Sequence, residues 1–162
     1  VPFKRPFKIS GDKISDYDVI VHALNFMEKK DKTKYDIIVS LPPTSPLRKP
    51  ADVIGAIKML INKNFDSVWT VSKTDNKYHP LKQLKIIKNK IQFYSPKGSK
   101  IIARQQLKPV YHRNGVAYVM TRKCLKKKKN IITNNTGAYL VDNFQISVDT
   151  RFDLKLVNYF LS

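Results

Sequence analysis

The chain has 162 residues, 42% of them hydrophobic, with five glycines and a formal net charge of +19. Such a length and apolar content suit one domain with a buried core and argue against disorder. No stretch approaches the roughly eighteen uninterrupted apolar residues of a membrane-spanning helix, and the basic, proline-broken start is no secretory signal. The single cysteine, Cys124, rules out an internal disulfide, fits a reducing cytoplasm and lacks any local pattern that would make it a nucleophile.

In chain order, Asp16 opens a predicted helix to Lys30 with Val19, Ile20, Ala23, Leu24 and Met27 on one face. Ile37 to Leu41 is a β-prone run without polar alternation, the pattern of a strand buried on both faces, and Pro42 and Pro43 stop it. A helix is expected over Ala51 to Asn62, a strand over Asp66 to Val71, and a loop through His79 and Pro80. Lys82 to Ile87 and Lys90 to Tyr94 read as a hairpin across Lys88-Asn89, within an insertion spanning residues 81–110. Val116 to Thr121 is a further strand, Cys124 to Lys129 a short helix or turn, Ala138 to Val141 and Ile146 to Val148 short strands, and Thr150 starts a closing helix. Alternating helices and strands, with no internal repeat and no linker, imply a single α/β domain over residues 1–162 with a mostly parallel sheet.

The charge needs a cause. Of the 31 basic residues, 25 are lysines spread along the chain, and only Lys126 to Lys129 form a compact run. Nucleic-acid binding is the reflex interpretation, yet no zinc-ligand set, helix-turn-helix or RNA-binding aromatic signature accompanies the charge. A solvated basic surface, or one favouring small anionic substrates, accounts for it better.

The densest chemical signal lies just past the predicted strand at 37–41. Thr44 and Ser45 place two hydroxyls beyond its carboxyl end and Arg48 adds a cation. Ligands of open α/β sheets bind at that edge, and this set suits an anionic, hydroxylated ligand such as a nucleotide or an acidic sugar. A rigid strand-to-helix turn would explain the same residues.

The segment YDIIVSLPPTSPLR resembles the L-Q-P-T-S-P-L-R segment of the acylneuraminate cytidylyltransferases, which make CMP-activated sialic and related nonulosonic acids. VPFKRP is similar to the family's F-x-R-P, DSVWTV to its next strand, RQQLKPVYHRNGVAY to its R-Q-x-L-P…Y-x-x-N-G-A-x-Y, and ISVDTRFDL to its closing I-D-I-D-T-x-x-D-L. The matches follow in order along nearly the whole chain. The resemblance implies a three-layer, Rossmann-like nucleotidyltransferase fold, transfer of CMP from CTP to an acidic nine-carbon sugar, Mg²⁺ as cofactor, and a homodimer built through the hairpin. It also implies that the 162 residues correspond to the carboxyl-terminal two-thirds of the family domain. The family's basic, glycine-rich segment, which wraps the CTP phosphates, has no counterpart, so the chain alone is expected to be nearly inactive.

By the same resemblance Arg104 and Gln105 orient the substrates, Arg5, Thr44, Ser45, Arg113 and Asn114 contact them, and Asp149 holds the metal. Each has a plainer account. Asn114-Gly115 is a common turn dipeptide, Arg5 is an N-terminal surface residue, and Asp149 suits the positive end of a helix that Thr150 and Asp153 cap. Two departures stand out: Ser147 takes the place of the family's first closing acid, and Pro42 that of a glutamine that reads the sugar. They leave open another sugar acid, a KDO-like one included, or a non-catalytic binding or assembly module of the same fold.

Overall fold

The computed structural model describes residues 2–162; Val1, the first residue of the VPFKRP stretch, lies outside the described residues. Helix α1 (Asp16–Asp31) starts at Ser15, whose hydroxyl accepts the Asp18 N–H at 3.2 Å, and ends at Lys32 in the left-handed conformation. Strand β1 (Ile37–Ser40) leads to α2 (Pro50–Asn62), which carries proline and Asp52 in its first turn, where a missing donor and a negative charge are both welcome. Then follow β2 (Ser67–Lys73), the hairpin β3 (Leu84–Ile87) and β4 (Lys90–Phe93), the long β5 (Tyr111–Thr121), β6 (Thr136–Leu140) and α3 (Arg151–Leu161).

The main sheet has the order β1-β5-β2-β6. Strands β1, β2 and β6 run one way and β5 runs back between β1 and β2, so the β2–β6 ladder is parallel and both β5 ladders are antiparallel. The sheet is therefore mixed, where the alternation of elements suggests a mostly parallel one. The cause is the segment between β2 and β5. It holds a hairpin and short 3₁₀ turns but no crossover helix, so the chain re-enters the sheet at the same end of the strands that it left, Tyr111 opposite Lys73, and must run in reverse.

Helices cover both faces. Ala56 and Leu60 of α2 pack on Val68, Ala117 and Val119, with Ile37 and Val39 beside them. Leu24 of α1 packs on Met120 and Leu125, with Ile38 and Tyr118 alongside. Successive residues of β1 and β5 thus feed opposite cores, the two-residue alternation of a strand buried on both sides. Val68, Val116, Val119, Met120 and Leu125 are fully buried, each stabilising the fold by about 1.5–3 kcal/mol.

Two expected strands come out differently. Arg113, Asn114 and Gly115 belong to no tight turn; they lie within β5, whose pairing with β2 jumps from Trp69–Tyr118 to Val71–Arg113. Ile146 to Val148 forms no ladder: the Val148 N–H donates to the Thr44 carbonyl at 2.8 Å, joining that segment to a loop instead of a strand. Cys124–Lys128 is one π-helical turn with Cys124 buried and its thiol pushed up in pKa by that burial. The lysine run there is partly engaged: Lys128 pairs with Asp66 at 2.5 Å and Lys126 bonds to Asn25. No helix among the described residues is long and apolar enough to cross a membrane.

Candidate active site

Where β5 bulges, four of its residues, 114–117, stand opposite Thr70 alone. Such a bulge leaves backbone groups unpaired in the interior, and each needs a partner. Thr70 supplies two: its hydroxyl accepts the Ala117 N–H and donates to the Ala117 carbonyl, both at 2.9 Å. Asn114 supplies another, accepting the Val116 N–H at 3.1 Å while its amide donates to the Ser72 hydroxyl at 3.0 Å. Ser45 Oγ donates to the Asn114 carbonyl at 3.1 Å. Gly115 completes the bulge at φ +69°, and a Cβ there would stand 2.5 Å from Ser45 Oγ. Only glycine combines that backbone with that approach.

The loop after β1 is locked by the same contacts from the other side. Arg48 Nε donates to the Ser45 carbonyl at 3.0 Å and its Nη2 to the Pro42 carbonyl. Burial presses the Arg48 pKa down. Its charge therefore serves loop carbonyls and does not stand free for an anionic ligand. Ser45 is fully buried. It braces the wall of the site from behind and does not line it.

Together the loop and the bulge shape a cleft of about 380 Å³ at the carboxyl end of β1. Thr44, Arg113, Asn114, Ser147 and Gln145 line it, joined by Pro42, Asp16, His112, Gly115 and Tyr118. Arg113 lies over the Trp69 ring at 5.8 Å from its centroid, a cation–π contact that orients a guanidinium otherwise without a carboxylate partner among the described residues. Burial raises the Tyr118 hydroxyl pKa, the Arg113 charge opposes this, and Asp16 adds to it. One cation and one carboxylate thus face the same phenol. His112 Nδ1 meets the Thr74 hydroxyl at 3.0 Å.

Gln145 is the anomaly of this cleft. Both polar atoms of its amide are shielded and neither has a hydrogen-bond partner. A buried amide group left unpaired costs about 1–3 kcal/mol.

Of the residues singled out in the sequence, the structure brings Thr44, Arg113 and Asn114 to one cleft. Asn114 contributes its position and little free bonding capacity, because its side chain holds the bulge. Asp149 follows two residues after Ser147, at the start of α3. Its backbone N–H donates to Asp153 at 3.1 Å, and among the described residues no hydrogen bond or ion pair engages its carboxylate. Asp153 and Thr150 form the expected capping box. Arg104 and Gln105 lie elsewhere, in the exposed 3₁₀ turn Arg104–Gln106; Arg104 lines a separate hollow with Leu84, Phe93 and Leu107. Arg5 is exposed, and no contact draws it to the cleft. His79 is a staple: its Nδ1 accepts the Leu81 N–H and its Nε2 donates to the Lys108 carbonyl, both at 3.1 Å, with the ring buried. The sequence does not single out Asp16, Tyr118, His112 or Gln145 as site residues, and it presents Ser147 only as a departure from the family's closing acid. Of these, His112 was legible from its place beside Arg113, whereas Asp16 and Gln145 carry no local signal.

No family model matches the chain. It is 26% identical over 164 residues to post-translational flagellin modification protein B of Campylobacter coli, covering 98% of this chain and 67% of that protein. It is 27% identical over 154 residues to N-acylneuraminate cytidylyltransferase of Streptococcus agalactiae serotype V, covering 94% of this chain. The enzyme of that name from Escherichia coli is 25% identical over the same share of the chain. The chain spans 35% of the length of each of these two transferases. Among solved structures, CMP:2-keto-3-deoxy-manno-octonic acid synthetase complexed with CTP superposes with a TM-score of 0.64 at 15% identity, over 93% of this chain and 69% of that one. A putative glucose-1-phosphate thymidylyltransferase from Bacillus anthracis gives 0.51 at 14% identity, over 87% and 60%. The fold is the Rossmann-like α/β fold of nucleotidyltransferases, and the resemblance to acylneuraminate cytidylyltransferases spans nearly the whole chain.

Proposed function

We propose that the protein acts in cytidylyl transfer from CTP to a sialic-acid-like nonulosonic acid, and that this chain forms the sugar side of the site. The observation that carries the proposal is the cleft at the carboxyl end of β1, where Arg113 stands with its guanidinium free of carboxylate partners beside the hydroxyls of Thr44 and Ser147. A planar fork held over Trp69 suits a sugar carboxylate. The flanking hydroxyls suit the ring.

In such a reaction a sugar hydroxyl attacks the α-phosphorus of CTP and pyrophosphate leaves. This chain's residues would orient the sugar, with Arg113 fixing the carboxylate and the braced loop keeping Thr44 in place. Asp149 offers one unengaged carboxylate two residues after Ser147, which lines this cleft. No cluster of three or more His, Cys, Asp or Glu able to hold a metal exists among the described residues, so a protein-only cage is not what these residues build. A single carboxylate does fit Mg²⁺, which keeps waters and nucleotide phosphates as its other ligands and supplies charge neutralisation when bound. Arg104 and Gln105 would act from the insertion. Its exposed Leu84, Ile86, Ile91 and Tyr94 suit a second copy of the chain.

The test supplies the protein as encoded with CTP, Mg²⁺ and an N-acylneuraminate, and follows pyrophosphate and the CMP-sugar. Turnover that falls at least about tenfold in Arg113→Ala, mainly through the KM for the sugar, is the expected result. Unchanged kinetics would remove the basis of the proposal. A binding or assembly module is the second reading, favoured by Ser147 standing where a closing acid is expected. Arg104→Ala separates the two, since an enzyme loses turnover and a module keeps its partner.

A further inference from the structure

Trp69, the chain's single tryptophan, is half-buried on the inner strand β2 yet belongs to neither hydrophobic core. Its ring is fixed by other means. The indole Nε1–H donates to the Ile131 carbonyl at 3.0 Å. The ring meets its cross-strand partner Tyr118 edge-on, 5.0 Å between centroids. Over the ring lies the Arg113 guanidinium, 5.8 Å from the centroid. Tyr118 and Arg113 line the cleft; Trp69 is not among the lining residues.

The bulge of β5 creates this grouping. Continued at the register of Trp69–Tyr118, β5 would set Val116 opposite Val71 and carry Arg113 on to Thr74. The bulge sets Arg113 opposite Val71 instead. Trp69 and Val71, two apart on β2, point to the same face, so Arg113 becomes the diagonal neighbour of Trp69, within reach of a long side chain. Bulges of this kind re-aim side chains beside functional sites. Here one gives the place of a valine to a cation.

Arg113 is exposed, and an arginine left to solvent samples many rotamers, so a ligand that must order it loses affinity. Of the aromatic rings, indole attracts a cation best. We infer that Trp69 is a positioning residue, which holds the Arg113 guanidinium ready for the carboxylate of the sugar without touching the sugar itself. This rests on the sugar-side reading above. Filling space would need only an apolar side chain of similar size, and bonding Ile131 only the Nε1–H. Positioning Arg113 needs the face of the ring, and the three roles separate by substitution.

The experiment uses the protein as encoded with CTP, Mg²⁺ and an N-acylneuraminate. Trp69→Leu should raise the KM for the sugar about three- to tenfold, with kcat and the KM for CTP within about twofold of the wild type. Trp69→Phe, which keeps an aromatic face but no Nε1–H, should recover most of the sugar KM. In an Arg113→Ala background, Trp69→Leu should change that KM by less than about twofold, because the residue it acts through is gone. A second measurement needs no change at Trp69. Its emission, the only indole signal, should differ between the wild type and Arg113→Ala, and one concentration of sugar should shift it in the wild type and not in Arg113→Ala.

An unchanged sugar KM in Trp69→Leu, with Arg113→Ala impaired, would overturn the inference alone. Equal losses in Trp69→Leu and Trp69→Phe that follow their thermal midpoints would make the bond to Ile131 the whole role of Trp69, and also overturn it. Should Trp69→Leu fail to fold, an emission blind to Arg113→Ala would do the same. A wild type that neither binds nor turns over the sugar, or an Arg113→Ala variant with unchanged kinetics, would bring down the parent reading and the inference with it.

Discussion

Two parts of the chain carry most of the residues expected to do chemistry, and they are built in opposite ways. The loop after β1 and the bulge of β5 are held by side chains that satisfy backbone groups: Ser45 reaches from the loop to the Asn114 carbonyl, Arg48 binds carbonyls of its own loop, and Asn114 and Thr70 of β2 serve the backbone of the bulge. The insertion carrying β3, β4 and Arg104 is exposed along both strands, and only Gly98 and Leu107 within it are buried. In the first part a motif residue works chiefly inside the fold, and the free surface it creates is what could meet a ligand. In the second, the motif residues have little to hold within this chain, so a role for them lies with something outside it.

The locked region should break most sharply at Gly115. Gly115→Ala forces a side chain onto φ +69° and within 2.5 Å of Ser45 Oγ, with backbone strain of about 1–3 kcal/mol and overpacking of about 1–3 kcal/mol. Urea unfolding should register the sum. Adding Ser45→Ala removes the clashing oxygen and should recover the overpacking part while the strain remains. Because Ser45→Ala also removes the bond to the Asn114 carbonyl, the comparison is a double-mutant cycle with the Ser45→Ala single variant, and additive losses would show that Ser45 is not the obstacle. Asn114→Ala comes next, leaving the Ser72 hydroxyl and the Val116 N–H without their partner for about 1–3 kcal/mol. It should also weaken ligand binding by displacing Arg113, its neighbour in the strand; a stable, fully binding variant would contradict the bracing role given to the bulge.

This division also explains what could be read from residues alone. The packing of Ile37, Ile38 and Val39 against cores on both faces was legible because a continuous apolar run admits few other environments, although each residue of this outer strand is only half-buried. The capping box of Thr150 and Asp153 was legible because its partners are three residues apart. The bulge was not. Asn114-Gly115 has the local signature of a tight turn, and only the distant Thr70, Ser72 and Ser45 turn it into an interruption of a strand. Arg48 was misleading for a similar reason, since nothing local says whether a guanidinium faces a ligand or its own loop. Gln145 had no signal at all, because an orphaned amide is defined by partners that are missing in space. The reversed direction of β5 belongs with these, being set by a connection that lacks a helix.

The insertion should respond in the contrary sense. Arg104→Ala is expected to change folding stability by less than about 0.5 kcal/mol, as surface substitutions usually do, while lowering turnover of the protein as encoded. Ile86→Lys and Ile91→Lys, at 74% and 69% exposure, should likewise spare stability in a dilute single chain and shift only a concentration-dependent assembly. Loss of fold in any of these would mean that the insertion is braced from within, and the contrast with the bulge would disappear.

The smallest effect concerns acid. Asp153 has its carboxyl pKa lowered by the Thr150 hydroxyl and by the Thr150 and Asp149 N–H groups, Glu28 by Arg122, and Asp66 by Lys128. A carboxylate with a depressed folded-state pKa adds stability above its unfolded value, about 4, and that contribution disappears as pH falls through the folded value. The protein should therefore hold its urea midpoint from pH 7 to about 5 and lose it steeply below pH 4. Asp153→Asn sharpens the point, because asparagine keeps an acceptor oxygen for the cap but cannot ionise. Its deficit against the wild type should be present at neutral pH and shrink towards zero in acid, where the wild-type residue is neutral as well. A deficit of the same size at both ends would mean that shape, and not charge, makes Asp153 the cap of α3, and the start of that helix beside Asp149 would then owe nothing to ionisation.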